Sequence, residues 1–127
     1  MIILYDLDGV ICEDITEQPD TPEYELAIET AQLIMKPDRS TDIIITGRTE
    51  NYRKTTEKWL KKHGITNKLI MKPVELKGVE NTPAYKSDKY IQENGIIYIE
   101  SSSFQAEQIA RLSGKPVFCV ENNKIYR

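Results

Sequence analysis

Asp6 and Asp8 stand one residue apart, directly after the apolar run Ile2 to Tyr5. A strand that ends there leaves the alternating pleat, so both carboxyl groups can face one crevice. Two acids this close repel unless a cation or a shared proton relieves them. A hard divalent cation such as Mg2+ suits the pair, because it takes oxygen ligands, keeps several waters and bridges to phosphate. Beside a phosphate held in that way, Asp6 is a competent nucleophile, and Asp8 is placed to protonate a leaving oxygen and later activate water.

Three further groups fit the same chemistry. Thr46 and Arg48 flank Gly47 after a second apolar run, Ile43 to Ile45, and offer a hydroxyl, backbone N–H groups and a guanidinium fork for phosphoryl oxygens. Lys86, early in a helical segment, offsets charge on carboxylate and phosphate together, in competition with Lys89 and Lys72. Glu100 closes the fourth apolar run, Ile96 to Ile99, and is followed by Ser101, Ser102 and Ser103; an acid there completes a metal site with Asp6 and Asp8.

Placing these groups together requires alternating strands and helices. Strands are expected at Ile2 to Tyr5, Ile43 to Ile45, Leu69 to Met71, Ile96 to Ile99 and Val117 to Val120. Thr21 and Pro22 read as cap and first residue of a helix with Ala27, Ala31, Ile34 and Met35 at helical spacing, ended by Pro37. Tyr52, Thr56, Trp59 and Leu60 give the inward stripe of the next helix, closed by His63 and Gly64; Pro83 to Glu93 and Ser102 to Leu112 give two more. Residues 12–22 read as a flap-like loop and Pro73 to Asn81 as a loop. Such alternation implies an α/β fold with a central parallel sheet covered by helices on both faces, its ligand crevice beyond the carboxyl ends of the strands.

Composition narrows the setting. The 127 residues suit one domain, and 39% hydrophobic with 29% charged residues fits a globular protein. The net charge of −3 gives no overall positive field to gather nucleic acid or an anionic membrane. Cys12 and Cys119 have no metal-ligand spacing and suggest a reducing compartment. With no basic leader and no apolar run of about 20 residues, a cytoplasmic location without a membrane is expected.

The segments Asp6-Leu7-Asp8-Gly9-Val10-Ile11, Thr46-Gly47-Arg48, Lys86 and Ile99-Glu100-Ser101-Ser102 fall in the order of the four motifs of the haloacid dehalogenase-like phosphohydrolases, and over nearly its whole length the chain resembles that superfamily. The resemblance implies a three-layer Rossmann-like domain that hydrolyses phosphomonoesters through a phospho-aspartyl intermediate with Mg2+. It makes Asp6 nucleophile and metal ligand, and Asp8 general acid/base and metal ligand through its carbonyl. Thr46, Gly47, Arg48 and Lys86 bind phosphate, Thr46 and Lys86 also assist catalysis, and Glu100 joins the metal.

Within the superfamily, the Thr-Gly-Arg turn, the Lys inside Tyr-Lys-Ser-Asp-Lys-Tyr and the small size look most like the phosphatase domain of polynucleotide kinase 3′-phosphatases. The sequence leaves no room for a large cap domain, and an open site suits a nucleic-acid end, a nucleotide or another extended substrate. One departure stands out, since the fourth motif usually supplies a second acid where this chain has Ser101. The alternative reading is therefore a non-catalytic domain that has lost the metal and serves as a binding module. A phospho-accepting receiver domain fits less well, because its acceptor Asp belongs after a middle strand, where this chain has Thr46 and Met71.

Overall fold

The computed structural model describes residues 1–127. Six strands form one sheet: β1 (Ile3–Tyr5), β2 (Ile43–Thr49), β3 (Lys68–Lys72), β4 (Ile97–Glu100), β5 (Val117–Cys119) and β6 (Lys124–Tyr126). Their order is β3-β2-β1-β4-β5-β6, with every pairing parallel except β5 with β6. Four helices cover the sheet: α1 (Pro22–Thr30), α2 (Arg53–Lys62), α3 (Thr82–Gln92) and α4 (Ser103–Ser113). No helix is long and apolar enough to cross a membrane.

The period of two in the strands separates two cores. Leu4, Ile43, Ile45 and Tyr98 face Tyr90 of α3 and Ala106, Ile109 and Ala110 of α4. Tyr5 and Ile44 face the other way, onto Trp59 and Leu60 of α2. Tyr24 and Ile28 of α1 continue that second layer against Tyr52 and Met71. The result is the three-layer α/β/α Rossmann-like arrangement. Each Leu or Ile among them, withdrawn from water, contributes roughly 1.5–3 kcal/mol, so a buried strand between two helical layers is the favourable state of these runs. Asp42, itself fully buried, accepts the Ile3 N–H at 3.0 Å and aligns β1 with β2.

Three elements depart from the sequence expectation. The first helix ends at Thr30, not at Pro37, with Ala31 already at ψ 142. The next residues pair with distant backbone instead: Glu13 N–H donates to Gln32 O at 2.9 Å and Ile34 N–H to Ile11 O at 2.7 Å, which leaves Ile34 and Met35 outside the core. β2 runs on to Thr49, where the sequence predicts a turn after Ile45. Between the pairs Ile45 with Ile70 and Thr49 with Lys72, β2 advances four residues and β3 two, a bulge that re-aims the chain. β6 is absent from the sequence expectation; it turns back on β5 through Asn123, which holds φ 60.

Candidate active site

β1 lies between β2 and β4, at the point where the strand order reverses, and crevices open there beyond the carboxyl ends. Asp6 follows β1 and keeps the ladder, donating its N–H to Ile99 O at 2.9 Å, while its Oδ1 accepts the Leu7 N–H at 2.8 Å. Glu100 ends β4. Lys86, on α3, joins them: its Nζ lies 3.2 Å from Asp6 Oδ1, 2.8 Å from Glu100 Oε1 and 3.0 Å from Gln105 Oε1. Lys89 points elsewhere, to Gln92 on the surface at 3.1 Å.

All three charged groups are buried, and two acids share one ammonium. Burial, and then the neighbouring Glu100, push Asp6 well above the usual aspartate range. Burial acts the same way on Glu100, but the Lys86 charge, with N–H groups of Ser101 and Ser102 on its Oε2 at 2.9 and 3.1 Å, holds it below the usual range. Burial opposes the charge on Lys86, and Asp6 and Glu100 outweigh it, raising its pKa. The cluster therefore carries an excess of negative charge when both acids ionise.

Asp8 is engaged from the β2 side. Arg48 Nη2 meets Asp8 Oδ1 at 2.7 Å and Nε meets Oδ2 at 3.1 Å, a two-point fork. The guanidinium is buried, and its Nη1 also donates to Thr56 Oγ1 at 3.1 Å. Burial works against its charge, but Asp8 more than offsets that and raises the Arg48 pKa. Cys12 lies beneath the fork, its thiol pushed up to about 12 by burial and by Asp8.

Ser101 occupies the centre of the oxygen-rich corner. Its Oγ is 3.0 Å from the Asp8 carbonyl, 3.5 Å from Asp6 Oδ2 and 3.4 Å from Glu100 Oε2. This close approach needs Gly9, at φ 82, because a Cβ there would stand 2.7 Å from Ser101 Cβ. No three Asp, Glu, His or Cys side chains form a metal cage. Mg2+ does not require one, since one or two carboxylates, waters and a substrate phosphate satisfy it. Asp6, Glu100 and the Asp8 carbonyl are hard oxygen donors, and a cation beside them would offset the excess charge of two ionised acids on one ammonium, so the residues fit such a cation.

These groups line one cavity of about 260 Å³ with Asp8, Gly47, Arg48 and Ser101. Thr46 is not among its walls: it is fully buried, its Oγ1 accepting the Arg48 N–H at 3.1 Å, and thus shapes the bulge behind the cavity. Gly47 packs against Thr82, whose Cγ2 would lie 2.8 Å from an added Cβ. Tyr24, Asp14, Ile15, Thr82 and Gln105 also reach the cavity. None of these five carried a sequence signal beyond its neighbourhood to a motif. His63 stays away from the site, its ring beside Trp59 at a centroid distance of 4.3 Å.

Two solved chains resemble this one in fold. A chain of the Pnkp1/Rnl/Hen1 RNA repair complex superposes with a TM-score of 0.71 and 20% identity, over 93% of this chain and 41% of its own length. A chain from another structure of the Pnkp1/Rnl/Hen1 complex gives 0.71, 19%, 93% and 44%. The present chain thus spans less than half of each. No family model and no curated protein matches the sequence. At these identities the likeness establishes the shared α/β architecture.

Proposed function

We propose that the chain is a single-domain, Mg2+-dependent phosphatase of the haloacid dehalogenase-like class, acting in the cytoplasm on a phosphomonoester at a nucleic-acid end or on a nucleotide. The observation that carries this is the convergence of Asp6, Asp8, Arg48, Lys86 and Glu100 on one cavity at the carboxyl ends of β1, β2 and β4. Two chains of similar fold come from a complex described as one of RNA repair, which favours the nucleic-acid substrate.

In this reading Asp6 attacks phosphorus, the bond from phosphorus to the ester oxygen breaks, and that oxygen takes a proton from the protonated form of Asp8, in which one carboxyl oxygen has given up its Arg48 contact. Asp8 then takes a proton from water, which attacks the phosphoenzyme and releases inorganic phosphate. Arg48 aims Asp8 through its fork, and Gly47, which lines the cavity without a side chain, lets a phosphoryl group approach the backbone. Lys86 keeps Asp6 oriented and neutralises part of the charge that gathers there. Asp6, the Asp8 carbonyl and Glu100 would hold Mg2+, which would supply further positive charge for the phosphoryl oxygens.

Turnover of p-nitrophenyl phosphate with and without Mg2+, in the wild type and in Asp6→Asn, tests the reading; undiminished turnover by Asp6→Asn overturns the mechanism. A second reading, a binding module without turnover, draws on Ser101 standing where the superfamily usually has an acid. Calorimetric titration with Mg2+ separates the two, since a silent titration together with no hydrolysis supports the second.

A further inference from the structure

A second cavity of about 660 Å³ adjoins the phosphate cavity, and Tyr24, Gly47, Arg48, Val79 and Thr82 form their common wall. Its other sides come from the flap at Gln18 to Asp20, from Asn51 and Tyr52, and from the loop that follows β3. The volume is within the range of small-molecule sites.

Its charge is unusual. Lys72 lines it and is only 2% exposed, yet its Nζ meets no acid: it donates to Gly78 O at 2.6 Å, Asn81 Oδ1 at 2.9 Å and Thr82 Oγ1 at 2.8 Å, all neutral oxygens. Burial pulls its pKa below the usual lysine range, with Glu80 opposing and Lys86 adding to the effect. Lys77 adds an exposed cation at the rim. The other charged walls are Asp20, whose Oδ1 already accepts the Tyr52 hydroxyl at 2.8 Å, and Arg48, which Asp8 neutralises. A buried ammonium without a counter-charge is costly to maintain, and an anion entering the cavity relieves that cost.

The position of Asp8 says which part of a substrate reaches this cavity. The leaving oxygen must meet the Asp8 carboxyl group, which lines the smaller cavity and is held by Arg48, a residue of the wall that the two cavities share. A group attached to that oxygen on the Arg48 side reaches the larger one.

We propose that the 660 Å³ cavity is the leaving-group subsite, and that it takes a substrate bearing a second phosphate, ester or diester, seated against Lys72 and Lys77. This rests on the phosphatase reading above. The shared chemistry is a nucleoside with two phosphates, and it has two sources: a small bisphosphate, or a strand end whose adjacent phosphodiester supplies the second anion.

Four substrates test it: p-nitrophenyl phosphate, a nucleoside 3′-monophosphate, the 3′,5′-bisphosphate, and a dinucleotide with a 3′-phosphate. A charge-assisted contact predicts kcat/KM higher by about tenfold for at least one of the last two over the monophosphate. Whichever of the two is preferred identifies the source. Lys77→Glu, at an exposed position, brings that ratio toward one, and Lys72→Met does the same where circular dichroism shows it folded.

Turnover of the aryl phosphate with neither the bisphosphate nor the dinucleotide preferred over the monophosphate, or a ratio unmoved by Lys77→Glu, overturns the subsite and leaves the phosphatase reading intact. With none of the four turned over, the phosphatase reading falls. Calorimetry with the same bisphosphate then decides: tighter binding than the monophosphate, weakened by Lys77→Glu, retains the anion site, and equal binding overturns it.

Discussion

Arg48 grips Asp8 at both carboxylate oxygens, at 2.7 and 3.1 Å, from the bulged end of a neighbouring strand forty residues away. The planar fork fixes direction as well as charge, which a lysine cannot do. Arg48→Lys keeps the charge and loses the fork together with the bond to Thr56. It is expected to lower kcat by at least about tenfold and stability by about 2 kcal/mol, read from aryl phosphate kinetics and urea denaturation. Unchanged kcat would show that Asp8 needs no aiming.

Asp6→Asn should abolish turnover and stabilise the fold. In the wild type two buried acids share Lys86; in the variant the cluster becomes one ammonium and one carboxylate, and the new amide can still accept the Leu7 N–H. The folded pKa of Asp6 is raised, so the native state binds the proton more tightly than the unfolded chain and loses stability as pH rises above the ordinary aspartate range. The variant escapes that loss. A gain of about 1 kcal/mol near pH 7, roughly 4 °C in Tm, is expected, shrinking toward pH 4.

Lys86→Met should do the reverse. Both acids remain buried without their cation, at a cost of about 3 kcal/mol at neutral pH. With Lys86 present, Glu100 is depressed and contributes stability that disappears as pH falls through its lowered pKa. Without it both acids are raised, the sign changes, and the variant should gain stability on acidification. Thermal melts between pH 4 and 8 follow the trend; a parallel offset from wild type at every pH would refute this account.

Gly9→Ala tests the corner at Ser101. The substitution places a Cβ 2.7 Å from Ser101 Cβ at a φ that disfavours side chains. A loss of about 2 kcal/mol is expected, together with weaker Mg2+ binding by calorimetry, because the Asp8 carbonyl moves with its neighbour. Stability lost without any change in the Mg2+ titration would separate the carbonyl from the metal.

The sheet was legible in the sequence wherever strands are apolar on both faces, as with Ile43 to Ile45, and wherever helices carry their own signals. Thr21 does cap α1, accepting the Tyr24 N–H at 3.3 Å, and Ser102 caps α4. What escaped depends on distant partners. The end of α1 is set by backbone pairing with residues 11–13, the extension of β2 by the bulge against β3, and β6 by its one antiparallel neighbour. In the site, Asp6, Asp8, Arg48, Lys86 and Glu100 could be named from order and type. The place of Thr46 behind the cavity could not, because a register irregularity decides it. Lys72 was hidden for a related reason: a lysine ending an edge strand reads as solvated, and only the loop folded over it makes it buried.

The pairing of Glu13 with Gln32 and Ile11 with Ile34, with a bridge between Cys12 and Leu33, also pinches the chain into a neck. Everything from residue 14 to residue 31 leaves and returns through that point. Lengthening a loop already closed at its base adds little entropic cost. The neck is therefore a graft point, where evolution or an engineer could splice a roof onto the site while the sheet beneath keeps its register.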